Sequence, residues 1–515
     1  MRALLAHSTL CTFALLACGG GNEPPVQATN PNDAGADQTA AGGGADHDTG
    51  VGGDDASMGS GGSDSVAPND SAAQVEAAST EAHAEAQAEG QADAQAEASV
   101  PDHGWDWNGI VGTGQSLSVG VQASNATLMM QPFSNLKLSL GTASVTVPPY
   151  NANDPALSVV PLVEPIRALA TSYPGAYPLN IYGETPHTAM ADQISALYQK
   201  DTAGNYITVH TVVGESGQGL NIIDKTATVT PNLGHAYAAT LFEVSALKRL
   251  AMAAGKTYGV GGIILTHGEA DAGNNNYESG MVQLYSDYNA DISAITGQTK
   301  KILLFVTQQQ TSPANNTTTA SLIAQWKIGV DHPGEVVCVG PKYQYPYATD
   351  HLHLVARGYD QLGEKYAEVY YERVVLGHDW QPLQPLAVTR SGPVITVQFH
   401  VPVPPLALES AMPAPHQTAH TAWMHGQGFE VANQSGELTI NSVAIQGDSV
   451  VITLASDPVA TGLVVRYAIT QDGNTTSGGL ATGRIGQLRD SDSLVGYGTK
   501  LPLYNYAVSF ILPVN

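Results

Sequence analysis

Cysteine and basic residues are both scarce in this chain of 515 residues. Only three cysteines occur, and two of them, Cys11 and Cys18, lie within the first eighteen residues, which excludes a structural disulfide framework. The 20 Lys and Arg stand against 46 Asp and Glu, a formal net charge of −26 that repels phosphate backbones and excludes nucleic acid as an expected partner. No apolar run reaches the ~20 residues that span a bilayer, which argues against a transmembrane helix.

The first eighteen residues have the layout of a secretory signal. Arg2 precedes an apolar stretch that ends in small residues, where a signal peptidase cuts. Residues 15–18, Leu-Leu-Ala-Cys, resemble the bacterial lipobox, which implies an exported lipoprotein anchored through lipid on Cys18. The resemblance places the protein in the bacterial cell envelope, in the outer membrane or at the cell surface, with the membrane as a partner. An ordinary signal peptide with an incidental cysteine is the alternative.

Residues 19–103 are predicted to be an acidic, Ala- and Gly-rich linker. Positions 19–100 contain fifteen Asp and Glu but no Lys, Arg, Phe, Tyr or Trp. A segment with nothing to bury and charge of one sign is expected to be disordered.

Residues 104–380 alternate between short apolar runs and longer helical stretches. The runs read as buried strands because they are brief and rich in β-branched residues. They lie at 109–112, 206–213, 260–266, 302–306 and 335–339, and the helical stretches lie at 189–200, 236–254, 277–295, 318–328 and 354–375. Crossovers of this length make neighbouring strands parallel, so the pattern predicts a three-layer α/β domain. Ligands in such sheets bind in the loops that follow the strands.

Residues 385–515 lose the helical pattern and are predicted to form a β-sandwich domain. Short alternating runs at 386–390, 393–401, 437–446, 448–455 and 462–470 are separated by turn residues, and 501–512 is predicted to be a final strand. The two central runs are predicted to form a hairpin across Gln446, Gly447 and Asp448. Trp423 fits either a sugar-binding platform or a buried aromatic residue.

Ser116 lies in a glycine-rich turn, Gly-Thr-Gly-Gln-Ser-Leu-Ser-Val-Gly, directly after the first predicted strand. The spacing of glycines does not match a dinucleotide-binding turn, and the absence of Lys excludes a P-loop. The turn presents a hydroxyl beside backbone N–H groups at the start of a helix. Ser116 is therefore either a candidate nucleophile or a helix cap.

Asp350 and His353 lie in the loop after the last predicted strand of this domain. A serine becomes a nucleophile when a neutral imidazole accepts its proton, and a carboxylate holds that imidazole in place. A spacing of three residues in a turn brings Asp350 and His353 to the same side, whereas His351 is expected to point elsewhere. Two open alternatives are an Asp that caps the helix and a metal site formed by the two histidines.

The residues in these loops resemble the SGNH/GDSL hydrolase family. The Gly-Gln-Ser-Leu stretch at 114–117 is similar to the first block of its sialate O-acetylesterase-like branch, and Asp-His-Leu-His at 350–353 is similar to the last. Between them, 212–219 supplies the candidate glycine, Gly217, and 266–271, Thr-His-Gly-Glu-Ala-Asp, is similar to the Gln-Gly-Glu-Ser stretch of that branch. His267 stands where the branch has Gln.

The resemblance implies a flavodoxin-like SGNH domain and a Ser116–His353–Asp350 triad. The backbone N–H groups of Ser116 and Gly217, with the side chain of His267, would stabilise the oxyanion. Gln115 and Glu269 are possible lining residues. Ser216, in a Gly-Glu-Ser turn, is a rival nucleophile, but Gln218 is too large for the elbow of an α/β-hydrolase.

Two functions follow from this reasoning. The first is a serine esterase that removes acetyl or other short acyl groups, from carbohydrate or another small ester, with neither a cofactor nor a metal. The second is a glycan-binding surface lipoprotein that keeps the hydrolase fold with little or no turnover.

Overall fold

The structure is a computed structural model that describes residues 100–311, 319–472, 479–480, 482 and 484–514. The predicted lipoprotein signal at 1–18 and almost all of the predicted linker at 19–103 lie outside these residues. Within them, no helix combines the length and apolar character needed to cross a membrane. The described chain forms an α/β part that ends at Val375 and a β part that begins at Gln384.

The α/β part is built on a seven-stranded, mostly parallel sheet. Its strands are β1 Trp107–Gly114, β2 Leu136–Ser139, β3 Ser158–Pro161, β4 Thr208–Val212, β5 Tyr258–Thr266, β6 Leu303–Gln308 and β7 Val336–Pro341. Their order is β3-β2-β4-β1-β5-β6-β7, and only the edge strand β3 runs antiparallel to its neighbour. Five of them match the predicted runs. The sequence pattern does not predict β2 and β3, which are four residues long, and β3 has no buried side chain.

Helices connect these strands in the predicted alternation. They are α1 Pro186–Thr202, α2 Leu220–Ile223, α3 Ala236–Ala253, α4 Tyr277–Thr296, α5 Ala320–Asp331 and α6 Ala356–Tyr370, which continues into a π-helical turn, Tyr371–Val375. The four-residue α2 was not predicted. The final helix begins at Ala356 rather than at the predicted Leu354, because the turn that carries His353 extends to that point. Thr318, the predicted start of α5, lies outside the described residues.

The sheet separates two apolar cores, as a three-layer α/β fold requires. Successive residues of a strand point to opposite faces, so Ile110 of β1 packs with residues of α1 and α6, whereas Val111 packs with residues of α3 and α4. The same alternation places Phe305 on the first face and Leu304 on the second. Burial on both faces explains why these strands read as continuous apolar runs.

The β part contains two four-stranded antiparallel sheets. Its strands are β8 Gln384–Ser391, β9 Val394–His400, β10 Ala407–Leu408, β11 Phe429–Asn433, β12 Gly436–Glu437, β13 Ile440–Gln446, β14 Ser449–Leu454, β15 Val464–Tyr467, β16 Leu488–Arg489 and β17 Phe510–Pro513. The sheets have the orders β13-β14-β9-β8 and β12-β11-β15-β17, and β10 pairs with β16. The hairpin between β13 and β14 is confirmed, with Gly447 in the left-handed region at φ +58°.

Aromatic rings fill the space between the two sheets. The ring of Phe399, on β9, lies 6.3 Å from that of Phe429 and 6.1 Å from that of Phe510, both on the other sheet. The predicted fold class, an α/β domain followed by a β-rich domain, is confirmed. Trp423 is 2% exposed, and its indole N–H donates to the carbonyl of Val431 at 2.9 Å. It is therefore a buried aromatic residue rather than an exposed platform.

Buried polar contacts join the β part to α6 and β6. Glu364 accepts hydrogen bonds from the backbone N–H groups of Gly498 and Thr499 at 2.7 and 2.8 Å. Gln308 exchanges two hydrogen bonds with the backbone of Ser509, at 2.9 and 2.7 Å. Because these polar groups are buried, each part satisfies groups that the other would leave unpaired.

Candidate active site

The strand order brings the loops after β1, β4 and β5 together. β1 pairs with β4 on one side and with β5 on the other, and all three are parallel, so their carboxyl ends share one edge of the sheet. The N–H of Glu215 donates to the carbonyl of Gly114 at 2.9 Å, and the N–H of Gln115 donates to that of Thr266 at 3.1 Å. These three loops, which are far apart in sequence, therefore form one side of the candidate active site.

Gly114 makes this close approach possible. Its φ of +138° is unfavourable for other residues, and a Cβ at this position would lie 2.1 Å from the carbonyl oxygen of Thr266. Glycine is required here because β1 must turn sharply against the end of β5. That turn puts Ser116 at the first position of a 3₁₀ helix, Ser116–Ser118.

The structure brings Ser116 and His353 into direct contact. The Ser116 Oγ lies 2.8 Å from the Nε2 of His353, across 237 positions of sequence. Ser116 is 3% exposed and His353 is 9% exposed. At this distance, a neutral imidazole with a free Nε2 lone pair accepts a hydrogen bond from the hydroxyl.

Asp350 holds the other side of the imidazole. Its Oδ2 lies 2.7 Å from the Nδ1 of His353, and its Oδ1 accepts from the backbone N–H groups of Leu352 and His353 at 3.0 Å each. Partial burial opposes ionisation of Asp350, but the hydrogen bonds from the ring and backbone of His353 and from Leu352 outweigh it and hold the pKa of Asp350 below its usual value. An ionised Asp350 that accepts from Nδ1–H fixes the tautomer whose Nε2 faces Ser116.

The alternatives for these residues are less compatible with this geometry. Ser116 does not act as a side-chain cap, because the residue before the short helix is Gln115 and the Ser116 hydroxyl contacts His353. His351 is exposed and has a φ of +54°, whereas both ring nitrogens of His353 are engaged by Ser116 and Asp350. Among the described residues, no group of three or more His, Cys, Asp and Glu is placed to hold a metal ion.

Ser216, the rival nucleophile, has no such partners. Its side chain is 1% exposed, and within the described part of the chain its Oγ has no hydrogen-bond partner. Without an imidazole to accept its proton, a serine hydroxyl at neutral pH is a weak nucleophile.

Gly217 lies on the loop after β4, beside the turn of Ser116. Its φ is +74°, which favours glycine. Among the described residues, the backbone N–H groups of Ser116 and Gly217 have no hydrogen-bond acceptor. Two unengaged N–H groups on adjoining loops are the kind of donors that bind a developing oxyanion.

His267 has different partners from those the sequence predicts. It is fully buried; its Nε2 lies 2.9 Å from the carbonyl oxygen of Gln218 and its Nδ1 lies 2.8 Å from the hydroxyl of Tyr277. A carbonyl only accepts, so Nε2–H donates to Gln218 and Nδ1 accepts from Tyr277. Burial, the largest influence, lowers the pKa of His267 despite the nearby Asp271 and Glu269 carboxylates. In this arrangement His267 offers no N–H to an oxyanion, a correction to the expectation, and instead ties the loop after β5 to the residue that follows Gly217.

Gln115 and Glu269, the possible lining residues, also connect loops. The Oε1 of Gln115 accepts from the N–H of Ala270 at 3.0 Å, which joins the turn after β1 to the loop after β5. Glu269 is 4% exposed and forms an ion pair at 2.6 Å with Lys342, whose side chain is fully buried. Lys342 was not predicted from the sequence as a site residue. It directly follows β7, and ligands in such sheets bind in the loops that follow the strands, so its position was a signal that could have found it.

Comparisons with known proteins concern the fold only. No protein-family model and no curated protein match the chain. Among solved structures, a carbohydrate acetylesterase from Xanthomonas citri is 15% identical, with 79% of this chain and 80% of that chain covered and a TM-score of 0.49. A protein from Arabidopsis thaliana is 15% identical, with 52% and 99% covered and a TM-score of 0.37. The carbohydrate acetylesterase Est24 from Sinorhizobium meliloti is 12% identical, with 51% and 97% covered and a TM-score of 0.25.

Proposed function

We propose that this protein is a serine esterase of the SGNH type that hydrolyses short acyl esters. The observation that carries the proposal is the hydrogen-bonded series from Ser116 Oγ through His353 to Asp350, with distances of 2.8 and 2.7 Å. Three residue types with these complementary roles, brought to these distances by the loops after β1 and β7, match what nucleophilic acyl transfer requires.

The reaction proceeds in two steps. Ser116 Oγ attacks the ester carbonyl carbon as its proton passes to Nε2 of His353, and His353 then gives that proton to the departing alcohol. Water enters, loses a proton to His353 and attacks the acyl-serine, which releases the carboxylic acid and restores the Ser116 hydroxyl. Asp350 stabilises the imidazolium that forms twice in this cycle.

The N–H groups of Ser116 and Gly217 stabilise the oxyanion in this proposal. The loop that carries Gly217 is held against the Ser116 turn through the bond from Glu215 N–H to the Gly114 carbonyl. Donors fixed in advance stabilise the transition state without having to reorganise during the reaction.

We propose acetyl groups on carbohydrate as the substrate. The 3% exposure of Ser116 favours a short acyl group, because a longer one would have to displace the surrounding loops. The carbohydrate portion of the proposal rests on the resemblance of the Gly-Gln-Ser-Leu and Thr-His-Gly-Glu-Ala-Asp stretches to the acetylesterase branch. The resemblance of residues 15–18 to a lipobox that ends at Cys18 supports export and attachment to the bacterial envelope, where acetylated polymers are accessible.

A glycan-binding protein with little turnover is the second candidate. It is favoured by His267, whose ring nitrogens are both engaged, so that two oxyanion donors remain instead of the three expected. The loss of one such donor typically raises the barrier by ~3 kcal/mol, or roughly a hundredfold in rate. Measured turnover separates the two candidates.

The test compares p-nitrophenyl acetate hydrolysis by the wild type, Ser116→Ala and Ser216→Ala. We expect Ser116→Ala to lower kcat/KM by at least ~10³-fold, because the triad loses its nucleophile, and Ser216→Ala to retain most activity. Circular dichroism confirms that each variant is folded. Activity that survives in Ser116→Ala and disappears in Ser216→Ala would overturn the assignment.

A further inference from the structure

Tyr173 is an exposed aromatic side chain at the edge of the proposed active site. It is 65% exposed. A Cβ built on Gly217 would lie 2.7 Å from the Tyr173 hydroxyl oxygen and 3.8 Å from its Cζ. Apart from Gly217 and its two chain neighbours, the only described residue with atoms within 4 Å of that position is Tyr173. One end of the tyrosine ring therefore borders the glycine proposed to bind the oxyanion.

The segment that carries Tyr173 is firmly attached to the site. Arg167, at its start, donates to Glu243 at 2.9 Å and to Asn180 at 3.0 Å, and both the Arg167 and Glu243 side chains are largely buried. Asn180 in turn donates to the carbonyl of Gly214 at 2.9 Å, on the loop that leads to Gly217. These hydrogen bonds fix the segment to the loop after β4, which carries Gly217.

A second set of bonds fixes the same segment to the Ser116 turn. The N–H of Tyr182 donates to the carbonyl of Val119 at 2.8 Å, one residue beyond the short helix that begins at Ser116. The hydroxyl of Tyr182 accepts from the N–H of Gly175 at 2.6 Å, and its ring lies 5.8 Å from that of Tyr173. Tyr173 is thus an exposed ring on a positioned loop.

We propose that the ring of Tyr173 is a packing surface for the sugar ring that carries the acetyl group. This inference rests on the proposed function and names the part of the substrate that lies beyond the acetyl group. An exposed aromatic face binds the apolar C–H face of a pyranose, and its hydroxyl remains available to water or to a sugar hydroxyl. The loop after β4 and the start of α2 add hydrogen-bonding side chains, Gln218 and the exposed Asn221, which suit a polyhydroxylated substrate better than a lipid chain.

The experiment compares two substrates that share the acetyl group. Glucose pentaacetate presents a pyranose ring, and vinyl acetate presents no ring. We expect Tyr173→Ala to lower kcat/KM for glucose pentaacetate about five- to tenfold, the contribution typical of aromatic packing. The same variant should keep its kcat/KM for vinyl acetate within about twofold of the wild type, and Tyr173→Phe should match the wild type on both substrates.

Tyr497→Ala is the matched control. Tyr497 is also an exposed tyrosine, at 36%, but its ring packs against Phe133, 5.0 Å away, rather than beside Gly217. We expect Tyr497→Ala to leave kcat/KM unchanged for both glucose pentaacetate and vinyl acetate. Equal losses on both substrates in Tyr173→Ala would show that Tyr173 only supports the Gly217 loop, and no loss on glucose pentaacetate would also overturn the proposal. Phenyl acetate is included, because a loss confined to it would assign the surface to an aromatic ester instead.

A binding measurement separates this inference from the proposed function. Calorimetric titration of Ser116→Ala with glucose pentaacetate requires no turnover, and adding Tyr173→Ala should raise the Kd about five- to tenfold. If the wild type hydrolyses no ester but this difference is found, the esterase proposal fails and the sugar-binding surface stands. If both variants bind equally, the surface is refuted whatever the activity.

Discussion

The ion pair between Lys342 and Glu269 provides a sharp test of how the site loops are held. The two side chains are 0% and 4% exposed, and their nitrogen and oxygen lie 2.6 Å apart. The second carboxylate oxygen of Glu269 has no hydrogen-bond partner among the described residues. Among those residues, Lys342 is the only ion-pair partner of Glu269. Removing the lysine would leave a buried, unpaired carboxylate.

We expect Lys342→Met to lower the free energy of unfolding by about 3–5 kcal/mol, the usual effect of breaking a buried pair from one side. Methionine is unbranched and one atom shorter than lysine, so it keeps most of the packing of the side chain and the effect comes mainly from the lost charge. The double variant Lys342→Met with Glu269→Gln carries no unpaired charge, and we expect it to recover most of that loss.

Urea unfolding at 25 °C, followed by circular dichroism, measures these differences. The control is Lys301→Met, which breaks an ion pair of similar length, 2.8 Å, whose side chains are 64% and 37% exposed. An exposed pair contributes about 0–1 kcal/mol. The reasoning fails if the two lysine variants are destabilised equally, or if the double variant is no more stable than Lys342→Met.

Two further predictions concern carboxylates. Asp350→Asn should lower kcat/KM for p-nitrophenyl acetate by ~10³- to 10⁴-fold at pH 7, because the amide no longer fixes the tautomer of His353; a loss below tenfold contradicts the triad. Burial, reinforced by the charge of Glu184, raises the pKa of Asp360 to about 8. The folded state then binds more protons than the unfolded state between about pH 4 and 8, so stability falls as pH rises through that window. Asp360→Asn should show a smaller drop in Tm from pH 5 to pH 8 than the wild type. A drop as large as that of the wild type would show that Asp360 does not cause this pH dependence.

The sequence predicts those parts of the site that depend on short stretches. Ser116, Asp350 and His353 each follow a buried strand, and parallel strands place such loops at one edge of the sheet. The chemistry of acyl transfer restricts the residue types, so a serine and an Asp-x-x-His turn are recognisable before any fold is known. The five main strands are predictable for a related reason, since burial on both faces produces continuous apolar runs.

The remaining features depend on contacts that no local pattern encodes. The partners of His267 are Tyr277 on α4 and the carbonyl of Gln218 on another loop, and only the folded chain brings them together. Strand β3 has exposed residues at both ends and two partly exposed residues between them, so it carries no signal of burial. Likewise, no pattern in the sequence around Tyr173 indicates that its side chain borders Gly217.

The polar contacts between α6 and the last residues of the chain bear on how this protein tolerates cleavage. A cut near residue 380 would sever the backbone between the two parts, yet Glu364 and Gln308 would still depend on Thr499 and Ser509 for hydrogen bonds. Association of the two fragments is favourable, because separating them would leave buried polar groups on both fragments without hydrogen-bond partners. Proteolytic nicking at that junction is therefore expected to yield a complex of two polypeptides rather than two independent domains.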